Sequence, residues 1–166
     1  MRVMTVSTEA ELDEALAVRF EVFVGEQGVS PDAERDLIDV DPRTLHVLAL
    51  DDDDAVLGTC RLVAPHSDSA HGPAVGFGNM DPSNPHIGRL AVRASARGTG
   101  AGRALMTALE AHALAKFGGG RRVRVELSAQ DRALPFYKKL GYTSFGDGYL
   151  DEGIAHHDAF KIVVAR

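Results

Sequence analysis

The chain has a single cysteine, Cys60, and no tryptophan among its 166 residues. One cysteine cannot form a disulfide within the chain, so the sequence predicts a protein of the reducing cytoplasm. The chain also has no apolar run of membrane-spanning length, and its first six residues are typical of a strand rather than of a cleavable signal. We therefore expect no membrane partner.

Basic residues are outnumbered, with 18 Lys and Arg against 24 Asp and Glu and a net charge of −6. Because nucleic-acid binding requires basic patches, this charge argues against a nucleic-acid partner. It is consistent with a cationic substrate such as an amine, although such a charge more often only keeps a protein soluble. The length and the 45% hydrophobic content predict one globular domain over residues 1–166.

The most informative stretch joins an apolar strand, a glycine-rich loop and a helix between His86 and Ala115. Such a loop directs several backbone N–H groups to one point, where the helix dipole adds positive potential, so it can bind a phosphate or pyrophosphate. A triphosphate loop would end in Gly-Lys and a hydroxyl residue, whereas Gly102 is followed by Arg103. A dinucleotide site needs an acidic residue about 20 residues further on, and Glu126 keeps this alternative open.

Two motifs resemble those of the GCN5-related N-acetyltransferase (GNAT) superfamily. Arg97-x-x-Gly100-x-Gly102 is similar to its acetyl-coenzyme A signature, and the segment from Phe136 to Tyr142 is similar to its aromatic-Tyr-x-x-x-Gly-aromatic hallmark. Further segments resemble the ElaA-like branch of this superfamily: Arg19 to Gln27, Gly88-Arg89, Ala129-Gln130 and Tyr149 to His156. That branch usually has Glu-Asp-Gly-Ile-Pro-His in the last of these, where this chain has the two acids exchanged and Ala155 in place of proline.

The resemblance implies a GNAT-type α/β (α+β) domain with a mixed, mostly antiparallel sheet of six to seven strands and about four helices. The strand–helix–strand unit around the loop consists of a strand ending at Val92 (β4), a helix that opens on Gly102 (α3) and a strand from Arg122 to Ser128 (β5). It requires a right-handed crossover. The local patterns predict a helix from about Glu9 to about Val24 with a capping box, and a hairpin with an acidic turn at Asp51 to Asp54. They also predict a helix with Met106, Leu109, Ala113 and Phe117 on one face, a cap at Asp131, and final strands at about 142–145 and 159–164.

The resemblance also implies the chemistry, which is direct acetyl transfer from acetyl-coenzyme A to a primary amine of a small molecule or protein in a ternary complex. It is compatible with a homodimer. The resemblance assigns cofactor binding to the following residues: Leu90, Ala91, Val92, Arg97, Gly98, Thr99, Gly100, Ala101, Gly102, Arg103, Ser128, Gln130 and Tyr137. The backbone N–H groups of residues 90–92 are expected to bind the developing oxyanion.

Tyr137 is the predicted general acid, because a phenol with a reference pKa near 10 can give a proton to a thiolate. The alternative is a core aromatic that packs beside Phe136. The general base is open. His86 has a suitable reference pKa but stands beside Pro85, where it could be a surface residue. Glu126 is the second candidate, His156 or His157 the third, and a pocket that lowers the pKa of the amine itself is the fourth.

The acidic segment from Pro31 to Arg43 has two interpretations, a solvated loop or a wall of the acceptor site. In the second, the acceptor-site candidates are Phe23, Glu26, Gln27, Glu34, Asp36 and His156. Arg19 is expected to pair with one of the acids, and the loop 64–85 could form a lid over the acceptor. Cys60 could carry the acetyl group, but a small buried side chain is the simpler interpretation.

No metal site is expected, because no two of the seven histidines stand four apart in a helix with a third ligand nearby. Two other functions stay open besides N-acetyl transfer. One is a noncatalytic acyl-coenzyme A-binding sensor. The other is an acyl-homoserine lactone synthase, suggested by Arg19, Phe23 and the acidic segment, although the absence of tryptophan counts against it.

Overall fold

The structure is a computed structural model, and it describes residues 1–66 and 78–166. The helices are α1 (Glu9–Arg19), α2 (Pro31–Glu34), α3 (Ala101–Phe117) and α4 (Leu134–Lys139). The strands are β1 (Arg2–Thr5), β2 (Leu45–Leu50), β3 (Val56–Val63), β4 (His86–Val92), β5 (Arg122–Gln130), β6 (Thr143–Asp151) and β7 (Ile154–Val164). Of the predicted lid, residues 67–77 lie outside the described part.

The strands form a mixed sheet in the order β1-β2-β3-β4-β5-β7-β6. The pairs β1–β2, β2–β3, β5–β7 and β7–β6 are antiparallel, while β4 and β5 are parallel, with His86 opposite Glu126. The predicted fold class and crossover are thereby confirmed. No helix in the described ranges is both long and apolar enough to cross a membrane.

The residue contacts divide the chain into two compact units. The first unit consists of Met1–Val63 and Ile87–Ala111, and the second of Ala64–His86 and His112–Arg166. The single domain expected from the sequence stays a prediction.

In the first unit, α1 begins with the predicted capping box. The backbone N–H of Glu11 donates to Oγ1 of Thr8 at 3.2 Å, and the Thr8 N–H donates to the Glu11 carboxylate at 3.1 Å. The helix packs Ala15 against Leu48 and Leu50 of β2. It was predicted to end near Val24, but α1 ends at Arg19 and a wider π-helical segment continues from Phe20 to Glu26.

The four aspartates between β2 and β3 form a plain turn, as expected. Oδ1 of Asp51 accepts the N–H groups of Asp53 and Ala55, both at 2.9 Å, and Asp54 has a φ of 63°. An aspartate tolerates this left-handed conformation better than most side chains do. The aspartate run is therefore explained by turn geometry.

In the second unit, β5 alternates between two faces. Val123, Val125, Leu127 and Ala129 are buried on one face. On α3, Met106 and Leu109 of the first unit and Ala113 of the second are buried, and Phe117 is 36% exposed. Phe117 is the last residue of the helix, just before the turn at Gly118.

The last two strands are longer than predicted and form a hairpin. They meet at Glu152 and Gly153, whose φ values are 49° and 71°, as a two-residue turn with both φ positive requires. The predicted cap at Asp131 is also wrong. Ala133 precedes α4 without a side-chain cap, while Oδ1 of Asp131 lies 2.7 Å from Nδ1 of His157.

Candidate active site

The exposed glycine loop of the first unit, Arg97 to Gly100, leads into the 17-residue helix α3, whose first residue, Ala101, is buried. Gly98 and Gly100 have φ values of 79° and 92°, in the left-handed region that favours glycine. A Cβ at either position would meet nothing closer than 4.0 Å, so the glycines serve conformation rather than space. The first N–H groups of a helix have no partner within it, and the loop leaves this end open to an anion.

The arginine that begins the loop is held by the first unit itself. Nη2 of Arg97 lies 2.6 Å from Oε2 of Glu26, and its Nε donates to the carbonyl oxygen of Val92 at 3.2 Å. Glu26, which was predicted to lie in the acceptor site, therefore contacts Arg97, which was predicted to bind the cofactor. Of the other candidates here, Phe23 packs against the cluster around Val22, and Gln27 follows the last residue of the π-helical segment.

Strand β4 contains the three residues predicted to bind the oxyanion, Leu90 to Val92, next to a strained residue. Ala91 is buried, and Leu90 and Val92 are partly exposed. Arg89 has a φ of 53°, which is uncommon outside glycine and costs energy. Its guanidinium lies 3.5 Å from Glu34 and 3.4 Å from Asp36, and these contacts hold the strained position.

The acidic segment pairs with arginines. Arg19 is 1% exposed and contacts Glu34 at 2.6 Å and Asp39 at 2.7 Å, which confirms its predicted pairing with an acid. Arg61 contacts Asp36 at 2.8 Å and Asp39 at 2.7 Å. The acceptor candidates Glu34 and Asp36 are therefore already bound to guanidinium groups.

The two buried carboxylates of this network differ in pKa. Burial raises the pKa of Glu34 despite the neighbouring charge of Arg19. Burial also opposes ionisation of Asp39, but the hydrogen bond from Arg19 and the charge of Arg61 hold the Asp39 pKa well below its usual value. Asp39 is therefore the firmly ionised centre of the network.

His86 and Glu126, two candidates for the base, are neighbours in the second unit. His86 is 6% exposed, so it is not the surface residue that its place beside Pro85 allowed. Its Nε2 lies 3.0 Å from the carbonyl oxygen of Asp81 and 3.6 Å from Oε2 of Glu126. Burial lowers the pKa of His86, although the Asp81 carbonyl and the Glu126 charge act in the other direction.

Glu126 is 2% exposed and accepts three hydrogen bonds. They come from the Asp81 N–H at 2.8 Å, Nδ2 of Asn84 at 3.2 Å and Nε of Arg124 at 2.7 Å. These three donors fix the orientation of the Glu126 carboxylate beside the His86 ring. The arrangement favours Glu126 as a partner of His86 rather than as the base.

Tyr137 lies on α4 and is half-buried. Its ring packs edge-on against Phe136 at 5.1 Å and Tyr142 at 5.9 Å. Gly141, with a φ of 93°, ends the helix and lets the Tyr142 N–H donate back to the Tyr137 carbonyl at 3.0 Å. The second motif therefore fixes the direction of the Tyr137 ring.

The sequence analysis missed Tyr149 and Asp158. The Tyr149 hydroxyl donates to Oδ1 of Asp158 at 2.6 Å and is hydrogen-bonded to Oγ of Ser128. The His156 ring stacks on Tyr149 at 5.9 Å. Oε1 of Gln130, also predicted to contact the cofactor, accepts from Nε of Arg132 at 2.9 Å. An acidic residue followed by apolar ones within a predicted strand, Asp158 in β7, was the signal that could have revealed this cluster.

Cys60 is buried, with its Sγ 3.3 Å from the carbonyl oxygen of Gly88. Burial raises the pKa of the thiol to about 12. The simpler interpretation, a small buried side chain, therefore describes Cys60 correctly, since the thiolate is the reactive form.

A glycine loop at the start of a helix and a mixed sheet fit the class of protein that the sequence motifs predicted, an acyltransferase. Residues 8–161 match the acetyltransferase (GNAT) domain family, and the chain belongs to this family. The family and the enzyme class predicted from the sequence, N-acetyltransferase, are thereby confirmed.

Known proteins agree with this assignment. The uncharacterized N-acetyltransferase YjcF of Bacillus subtilis is 32% identical over 97% of this chain and 99% of its own. The structure of an acyl-CoA N-acyltransferase from Pseudomonas aeruginosa is similar with a TM-score of 0.76 and 27% identity, over 97% of this chain and 99% of that one.

Two further structures bear on the narrower predictions. Escherichia coli ElaA has a TM-score of 0.74 at 22% identity, over 95% of this chain and 97% of its own, so the predicted branch shares the fold. The CoA-dependent acyl-homoserine lactone synthase BjaI, solved with SAM and isopentyl-CoA, has a TM-score of 0.72 at 25% identity, over 99% of this chain and 83% of its own.

Proposed function

We propose that the protein transfers an acetyl group from acetyl-coenzyme A to a primary amine, directly and in a ternary complex. The observation that carries the proposal is the exposed loop just before α3, where Gly98 and Gly100 have left-handed conformations; a glycine loop at a helix N-terminus suits a diphosphate. When bound, acetyl-coenzyme A would supply the acetyl group as an activated thioester.

We assign the donor to the backbone of the loop from Arg97 to Arg103 and of β4 from Leu90 to Val92. Backbone N–H groups suit both tasks, because they can bind phosphate oxygens and can stabilise negative charge on a carbonyl oxygen. The ion pair of Arg97 with Glu26 supports the assignment, since it holds the first residue of the loop in place.

We assign proton removal from the amine to His86. Its Nε2 faces a carbonyl oxygen, which can only accept, so Nε2 carries the proton and Nδ1 is the basic atom. The lowered pKa of His86 keeps the ring neutral at pH 7 and ready to accept a proton. Tyr137 would then protonate the departing thiolate and recover its proton from solvent.

The test is a panel of primary amines with acetyl-coenzyme A, followed by release of free thiol and by mass spectrometry of the amine product. Gly100→Ala should weaken acetyl-coenzyme A binding in calorimetry, because a Cβ at a φ of 92° is strained. Gly119→Ala is a matched control, since Gly119 also has a positive φ, 58°, and lies beyond the other end of α3. Absence of heat with acetyl-coenzyme A for the unaltered protein would overturn the proposal.

Tyr137→Phe separates catalysis from binding. It should lower turnover while leaving acetyl-coenzyme A affinity unchanged, and Tyr142→Phe serves as the control in a neighbouring ring. Full turnover of Tyr137→Phe at every pH would remove the general-acid role. Binding without thiol release for any amine would favour the noncatalytic sensor.

A second candidate function, acyl-homoserine lactone synthesis, is favoured by the likeness to BjaI. Because that synthase was solved with SAM, the panel should include SAM as an acceptor, together with isopentyl-CoA as a donor. Acylation of SAM in preference to simple amines would replace the amine proposal, and the absence of tryptophan in this chain leads us to expect the opposite.

A further inference from the structure

Three polar side chains of the second unit lie on one face of its sheet. Ser128 of β5 is directly opposite Asp158 of β7, and Tyr149 of β6 reaches over the same face. Their contacts join them in a chain, in which Ser128 bonds to Tyr149 and Tyr149 to Asp158 at 2.6 Å. We call Ser128, Tyr149 and Asp158 the hydroxyl relay.

The direction of the hydrogen bonds in the relay follows from its buried end. Asp158 is 0% exposed, and its Oδ2 accepts the backbone N–H of Asn79 at 2.5 Å. Its Oδ1 accepts the only proton of the Tyr149 hydroxyl. Tyr149 can therefore only accept from Ser128, so the single hydroxyl proton of Ser128 is used for this bond.

The outer end of the relay is consequently an acceptor. Ser128 is exposed, and once its proton is donated to Tyr149 its oxygen offers only lone pairs to a ligand. The buried carboxylate of Asp158 is joined to Ser128 through the Tyr149 hydroxyl. The Ser128 oxygen therefore favours a cation that carries N–H donors and disfavours an anion or a hydrogen-bond acceptor.

The relay lies beside the His86–Glu126 pair. Glu126 and Ser128 stand two residues apart on β5, so their side chains share one face, about 7 Å apart along the strand. An ammonium group on Ser128 would therefore lie on the same face of the sheet as His86, the base that we assign for its deprotonation. We propose that the hydroxyl relay is the acceptor subsite of this enzyme and binds the substrate as a primary ammonium ion, an inference that rests on the proposed function.

This assignment differs from the sequence-based one, which gave Ser128 to the cofactor. Gly78 and Asn79 pack against the relay, and this packing supports a built site. A Cβ on Gly78 would stand 2.2 Å from Oδ2 of Asp158 and 2.7 Å from Cε1 of Tyr149, so only glycine fits there. The relay is thus enclosed at its carboxylate end and open at Ser128.

The direct test uses methylguanidinium, a cation with N–H donors that stays protonated and is not acylated. In ¹H–¹⁵N spectra it should shift the amide signals of Ser128 and Tyr149, and Ser128→Ala should weaken its binding about ten- to hundredfold, the range for a hydrogen bond to a charged group. Tetramethylammonium, which has no N–H, should bind no more tightly to the unaltered protein than to Ser128→Ala. Equal binding of both cations to both proteins would overturn the proposal.

Kinetics give a second, independent test. Ser128→Ala and Tyr149→Phe should raise KM for the amine about tenfold or more, with acetyl-coenzyme A affinity unchanged in calorimetry. Ser144→Ala, on an exposed position of β6, and Tyr142→Phe are the matched controls, and thermal melting verifies the fold of each variant. If Ser128→Ala lowered acetyl-coenzyme A affinity as much as it raised KM for the amine, Ser128 would be a cofactor-binding residue and the proposed subsite would be wrong.

The two proposals fail in different ways. If no amine is acetylated but methylguanidinium binds through Ser128, the proposed function fails and the cation site stands. If amines are acetylated and neither relay variant changes the KM for the amine, the function stands and the subsite is wrong.

Discussion

Nε2 of His86 and Oε2 of Glu126 lie 3.6 Å apart, and both side chains are almost fully buried. Glu126 accepts hydrogen bonds from Asp81, Asn84 and Arg124, and these bonds hold its carboxylate beside the imidazole. The Asp81 carbonyl fixes the tautomer of the ring. In this pair, His86 therefore resembles a base and Glu126 the carboxylate that orients it, rather than two independent candidates for the base.

The pH–rate profile of His86→Gln tests this pair. His86 must be neutral to accept a proton, and its pKa is lowered, so the rate of the unaltered enzyme should fall only as the pH drops below about 6.5. His86→Gln should lower kcat by about 10²- to 10⁴-fold and remove that acidic limb.

Glu126→Gln provides the control for the same prediction. Loss of the Glu126 charge destabilises the imidazolium form, so the acidic limb should move to lower pH in Glu126→Gln. The other charged or titratable groups near His86 are His66, Asp81 and Arg124, and they are unchanged in this variant. If the acidic limb of the pH–rate profile persisted in His86→Gln, another group would be the base.

The elements that the sequence predicted correctly have their cause within a few residues. The Thr8–Glu11 box and the turn that begins at Asp51 are bonded over three or four positions, so their pattern is visible in the sequence. The β6–β7 hairpin was predicted too short because β7 places buried polar residues, His156 and Asp158, where a core strand usually has apolar ones.

The site could be predicted only where a motif carries it. The glycine loop and Tyr137 belong to continuous motifs, whereas the bond between Ser128 and Tyr149 joins residues 21 positions apart. That bond depends on the pairing register of β5 with β7 and on the irregularity in β6 between Phe145 and Tyr149. Register between distant strands is set by the whole sheet, so the sequence pattern of a single strand does not show it.

Asp39→Asn should be strongly destabilising. Asp39 contacts Arg19 and Arg61, both almost completely buried, and removal of its charge leaves these guanidinium groups undercompensated. Breaking a buried ion pair costs about 3–5 kcal/mol of the free energy of unfolding, measured by urea denaturation. Asp54→Asn is the control, because the Arg2–Asp54 pair is exposed and such pairs contribute about 0–1 kcal/mol. Equal effects of the two substitutions would contradict the prediction.

The free energy of unfolding should decrease as the pH falls below about 6.5. Burial lowers the pKa of both His46 and His86 in the folded protein, so the unfolded chain binds protons first on acidification. The stabilisation is complete above the unfolded pKa and is lost as the pH falls through the folded pKa of each histidine. Urea denaturation at a series of pH values measures this.

The double variant His46→Gln/His86→Gln isolates the histidine contribution to that pH dependence. It should have a flatter profile than the unaltered protein between pH 6.5 and the folded pKa values. The raised pKa of Glu34 acts in the opposite direction, because the folded protein binds a proton there at a higher pH than the unfolded chain does. A double variant with an unchanged slope would show that other groups cause the dependence.

Cys60 should take no part in the reaction. Its thiol is buried and its pKa is raised to about 12, so almost no thiolate exists at neutral pH. Cys60→Ala should therefore retain full turnover, and a thiol reagent should label Cys60 in the folded protein far more slowly than in urea. With acetyl-coenzyme A and no amine, direct transfer predicts no burst of free thiol. A burst accompanied by one acetyl group on Cys60 would instead establish a covalent intermediate and contradict the ternary-complex proposal.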